Sequence, residues 1–230
     1  MRRTHVLILL SVISLLPIIG YFGFYPRHQP TPHLIIDASV DDDFAEVITE
    51  TWIQFLFAFA ARSNCFGDVL VKADYDLVDR AMYDPRTATV SVRVPERASI
   101  LKGALVHEWA HHVEFQCAAQ TEMRAAFIEA QGIPADTLWR LKDGTTHIFS
   151  SDWANIPSEQ YAETVIVVVL GERPVPTNNA PITTEGVEVI RRWAQKENLS
   201  CSPGSWACPV VEFIRQFTPG YLDQQEVSME

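Results

Sequence analysis

The sequence predicts an α+β domain: a small antiparallel or mixed sheet, one buried helix leaving it, and a helical C-terminal part, all behind an apolar N-terminal segment. Three observations predict this. Runs of strand type cluster between residues 68 and 94, where valines alternate with polar residues. Helical three-and-four spacing dominates before them, from Asp41, and after them, from Ser99. A 19-residue uncharged run, Val6 to Phe24, stands apart behind Arg2 and Arg3. The expected boundaries are 1–26 for the membrane segment, 27–40 for a linker, 41–222 for the domain and 223–230 for a frayed tail.

The N-terminal run is long enough to span a bilayer, and its aromatic exit, Tyr21-Phe-Gly-Phe-Tyr25, suits an interfacial belt better than a cleavage site. An uncleaved anchor is therefore favoured over a cleaved signal, although Pro17 keeps the second reading open. On either reading the arginines stay inside and the domain lies on the extracytoplasmic side, anchored through residues 6–24 or secreted. The formal net charge is -11, and the only charges in the anchor are basic, so the domain is acidic. That argues against nucleic acid as a partner. The four cysteines, Cys65, Cys117, Cys201 and Cys208, form no C-x-x-C pair. In an exported domain an even count suggests two disulfides. Of three pairings, Cys65–Cys117 with Cys201–Cys208 is favoured; the second would close a short loop.

After the Pro-rich spacer 26–32, residues 41–62 read as a helix whose buried stripe is Phe44, Val47, Ile48, Phe55, Leu56 and Phe59. Asp41, Asp42 and Asp43 suit its N-terminus through the helix dipole. Strands follow at 68–72, 80–83 and 87–94, the last two around the turn signal Asp84-Pro85-Arg86. In the last, Thr89, Ser91 and Arg93 alternate with Val90, Val92 and Val94, as in a half-buried strand. An exposed edge here could pair with an extended peptide. A helix spans 99–119, shorter helices 122–131 and 135–141, and a polar loop 143–153. Ser158 is expected to cap a helix ended by Gly171, and a final amphipathic helix runs from Thr184 to about Asn198.

The helix 99–119 carries His107-Glu108-Trp109-Ala110-His111. Residues four apart share a helix face, so His107 and His111 can aim two imidazoles at one metal ion. Zn2+ accepts neutral nitrogen ligands in a tetrahedral shell. Glu108 points to a neighbouring face, where it can act on a water without ligating the metal, as a general base must. The flanking Leu105, Val106 and Val113 are apolar, as a buried helix requires. The alternative is a surface helix with incidental histidines. Glu159 and Glu163, on the helix from Ser158, are also four apart. Since Val165 to Leu170 must be buried, the two acids sit on the inner end of a core helix and need a cationic partner.

His107-Glu-x-x-His111 followed by Glu159-Gln-Tyr-Ala-Glu163 resembles the gluzincin group of zinc metallopeptidases, above all its compact minigluzincin-type domains. The resemblance covers about residues 87–171. It implies a zincin-like fold and a peptide-bond hydrolase using one Zn2+ ion on a protein or peptide substrate. His107, His111 and Glu159 would ligate the ion, Glu108 would be the catalytic base, and Glu163 would orient the imidazole of His107. Such enzymes often place a Tyr or His across the cleft to stabilise the oxyanion, and His147 is the candidate here. The metzincin extension is missing, because Glu114 and Cys117 stand where it needs Gly and His. A domain of this fold that binds without turnover is the competing reading.

Overall fold

The computed structural model describes residues 31–140, 155–174 and 182–196. The expected N-terminal segment, Cys201, Cys208, His147 and the tail lie outside the described residues. Four strands form one mixed sheet: β1 (Leu34–Ile36), β2 (Val69–Asp74), β3 (Ala81–Asp84) and β4 (Thr89–Arg93), in the order β1-β2-β4-β3. β1, β2 and β4 run parallel, and β3 lies antiparallel on the β4 edge. The strand β1 corrects the sequence reading, which placed residues 34–36 in the linker. Three residues are too few to show alternation, and only pairing with β2 makes them a strand.

Alternation decides which face meets the helices. Val69, Val71, Val90 and Val92 are buried, whereas Ile35 and Met82, one residue out of step, are half exposed. β4 departs from the half-buried expectation, and, paired on both sides, it is not the exposed edge the sequence suggested. Thr89 and Ser91 are also buried, because β4 is an inner strand flanked by β2 and β3.

The helices are α1 (Asp42–Ala58), α2 (Ala98–Gln116), α3 (Arg124–Ala130), α4 (Pro157–Leu170) and α5 (Thr184–Ala194). α1 begins with Asp42 and Asp43 in its first turn and buries Ile48, Trp52 and Phe55. α2 receives those side chains through Trp109, whose ring centroid lies 5.0 Å from Trp52 and 5.6 Å from Phe55. A disulfide, Cys65–Cys117, joins the 3-10 turn after α1 to the residue that ends α2. This is the pairing the cysteine count favoured.

α4 starts with Pro157 at its first position and ends at Gly171, whose φ of 80° is the left-handed cap only glycine adopts without strain. Ser158 does not cap it. The side chain turns instead to Glu114 of α2, donating at 2.8 Å. Gly132 (φ 68°) ends α3 as expected, but residues 135–140 form turns where the sequence suggested a separate short helix. α5 is capped by the Thr183 hydroxyl, which accepts from the Gly186 N–H at 2.9 Å. Gln131 then bonds both Thr164 of α4 and Thr183, locking α3, α4 and α5 together. α4 packs along α2, which brings the sequence-distant glutamates to the His-Glu-x-x-His turn. Among the described residues, no helix is long and apolar enough to cross a membrane.

Candidate metal centre

The two histidines lie one turn apart on α2, and their Nε2 atoms are 3.2 Å apart. Glu159, in the first turn of α4, completes a triangle: its Oε2 lies 3.2 Å from His107 Nε2 and 3.5 Å from His111 Nε2. These three residues could hold a metal ion. The far side of each ring explains why the Nε2 atoms converge. His107 Nδ1 is 3.2 Å from Glu163 Oε1, and His111 Nδ1 is 2.9 Å from Glu114 Oε2. A carboxylate accepts a proton there, so when either imidazole is neutral its hydrogen stays on Nδ1 and Nε2 is left with the lone pair. Two lone pairs and a carboxylate oxygen meeting at one point could hold a cation. Ligands arranged tetrahedrally at the zinc bond lengths of about 2.0–2.1 Å stand about 3.3 Å apart, matching this triangle. The donor set fits zinc.

The electrostatics point the same way. Burial alone would strip the proton from His107, but hydrogen bonds to Glu159 and Glu163 outweigh it and raise the pKa to about 9. His111 is lifted well above its ordinary value, since the charges and hydrogen bonds of Glu159 and Glu114 overcome burial. Glu159 is held far below the usual carboxylate range: burial opposes ionisation, and His111 and His107 overcome it. Positive charge is therefore stabilised where the three donors meet. Glu108 behaves differently. Burial pushes its carboxyl up.

Each sequence-predicted residue in the described region is here. His107, Glu108 and His111 are on α2, and Glu159 and Glu163 are on the first two turns of α4. Glu163 is further held by Arg173, at 3.3 Å. The sequence reading missed Glu114. Its buried carboxylate accepts from His111, from Trp139 Nε1 at 2.5 Å, from Ser158 and from Arg140 Nε. Its position three residues after His111 was the available signal, since i and i+3 are helical neighbours. His112 faces away from the ligand triangle, bonded to Tyr83 and Gly67. Tyr161, between the two glutamates, is buried against Phe127 and Trp139 rather than turned to the site. No protein-family model matches the chain, and no curated protein or solved structure matches it.

Proposed function

We propose that the chain is a zinc-dependent endopeptidase, anchored in a membrane through residues 6–24 or exported, acting on extracytoplasmic protein or peptide. The observation that carries this reading is the triangle of His107, His111 and Glu159 with Glu108 beside it on the ligand-bearing helix. His107, His111 and Glu159 would hold one Zn2+ ion, with Glu163 and Glu114 orienting the two imidazoles. Bound there, zinc would polarise the scissile carbonyl and acidify a water. Glu108 takes the proton of the attacking water and delivers it to the departing amine nitrogen. The edge strand β3 offers main-chain groups to an extended substrate.

The competing reading is a binding domain without turnover. It is favoured by one observation: Tyr83 and Tyr161, the tyrosines nearest the motifs in the described residues, are committed to His112 and to the core. His147 remains the oxyanion donor this proposal names.

Incubating the purified full chain with casein and a peptide library separates the two. The peptidase reading expects cleavage that a chelator stops and zinc restores. Glu108→Gln should retain one zinc per chain and lose cleavage by about a hundredfold or more. Wild-type protein that holds zinc but cleaves nothing would establish the binding reading instead.

A further inference from the structure

Two arginines reach the ligand-bearing turns from outside the helices that build them, and their contacts repeat one pattern. Arg140 Nε donates to Glu114 Oε1, while Glu114 Oε2 faces His111 Nδ1 at 2.9 Å. Arg173 Nη1 donates to Glu163 Oε2 at 3.3 Å, while Glu163 Oε1 faces His107 Nδ1 at 3.2 Å. Each proposed histidine ligand is backed by a buried carboxylate, and each carboxylate is held on its other oxygen by a guanidinium. The first carboxylate has further donors, since Trp139 and Ser158 also bond Glu114. The second does not. Among the described residues, His107 and Arg173 are the side chains that meet Glu163.

The main chain explains how Arg173 arrives. Gly171 adopts φ 80° and turns the chain back from the end of α4. Pro174 then rests on α2 at Gly103, where an added Cβ would already touch Pro174 Cδ at 3.7 Å. Gly103 is four residues before His107 and shares its helix face. The elbow 171–174 therefore docks one turn from the histidine whose carboxylate Arg173 holds. A carboxylate bonded at one oxygen can swing about its last torsion, which is soft; bonded at both oxygens, it keeps one orientation.

We infer that Arg173 is a positioning residue of the metal centre: the elbow after α4 carries it to Glu163, and its bond fixes the carboxylate that aims the His107 imidazole. This deepens the peptidase reading and rests on it for the consequence, tighter zinc binding, but not for the relay itself.

The test compares wild type, Arg173→Met and Arg173→Lys as full-length protein. Methionine keeps an apolar stem and removes every donor, and lysine returns a cationic donor. Competition against a chromophoric chelator should show zinc held about tenfold more weakly by Arg173→Met, the lower end of the range for losing the partner of a ligating histidine, since Glu163 itself stays. Arg173→Lys should recover most of that loss. Proton NMR reads the relay directly, because the Nδ1–H of an enclosed, hydrogen-bonded imidazole is protected from exchange and gives its own signal. The His107 signal should broaden or vanish in Arg173→Met, while the His111 signal, held through Glu114 and Arg140, should stay. Should Arg173→Met fail to fold, Arg173→Gln, too short to reach Glu163, takes its place. Zinc affinity within twofold of wild type, with an unchanged His107 signal, overturns the proposal. Equal loss of both ring signals also overturns it, because that reports general loosening. Wild-type protein that takes up no zinc overturns the peptidase reading and not the relay, which the His107 signal of the metal-free protein still decides.

Discussion

Replacing Glu114 by glutamine sets a tautomer against a metal. The native carboxylate accepts on both oxygens: His111 Nδ1 and Ser158 on Oε2, Trp139 and Arg140 on Oε1. A glutamine has the same shape but only one acceptor oxygen, and its NH2 group must face one pair of donors. If the NH2 faces His111, Nδ1 must give up its proton, which moves to Nε2 and removes the ligating lone pair. If the amide turns over, the NH2 meets the Trp139 and Arg140 donors, and the unmatched contact costs about 1–3 kcal/mol. In both orientations the imidazole loses its carboxylate partner, whose charge raises ligand basicity, so zinc affinity should drop by about ten- to a hundredfold. At about 1.4 kcal/mol per decade this is about 1.4–2.8 kcal/mol, small enough to leave a folded protein. Competition against a chromophoric chelator reads the zinc Kd, with circular dichroism monitoring the fold. A folded Glu114→Gln variant binding zinc within twofold of wild type would refute the role given to Glu114.

The remaining predictions concern stability. In metal-free protein, the folded-state pKa of His107, about 9, lies above its ordinary 6.5. Its contribution is then complete below about pH 6.5 and lost as pH rises through 9, so the melting temperature should fall across that window. His107→Gln should flatten the fall, and an equal wild-type Tm at pH 6 and pH 9.5 would contradict it. Trp109→Ala removes the ring lodged between Trp52 and Phe55 and should cost about 3–5 kcal/mol in denaturant unfolding. A loss under 1 kcal/mol would mean that α1 and α2 are held by other contacts. The paired substitution Cys65→Ser with Cys117→Ser opens a crosslink of sequence separation 52 and should cost about 2–4 kcal/mol, measured the same way.

The sequence made the chemistry of the centre legible because helical spacing alone stacks residues four apart. His107 with His111, and Glu159 with Glu163, needed only that each segment be a helix. The Cys65–Cys117 pairing was legible for a similar reason, since both cysteines follow a helix that had to pack on the other. What failed to show depends on partners. β1 is a strand only because β2 lies beside it. Ser158 looked like a cap by type, but a buried carboxylate on another helix claimed its hydroxyl. Glu114 looked like one more charge on a polar helix, because nothing in the local sequence says that Trp139, Arg140 and Ser158 arrive at the same point.

The deeper reason lies in α2 itself. A surface helix has one apolar stripe, and its periodicity announces which side is inward. α2 has no such side. His107 and His111 face Glu159 of α4. His112 meets Tyr83 of the edge strand. Trp109 enters the aromatic cluster of α1, and Glu114 meets Ser158 at the start of α4. Each direction is buried, and the polar ones are matched by specific partners rather than by water. Such a helix reads as mixed by hydropathy, since polar residues such as His107, Glu108, His112 and Glu114 are enclosed along with the apolar ones. Burying four acidic or imidazole groups in adjacent turns would be strongly unfavourable without those partners. The same enclosure brings the three donors of the triangle together, and a divalent cation held there would leave both imidazoles neutral.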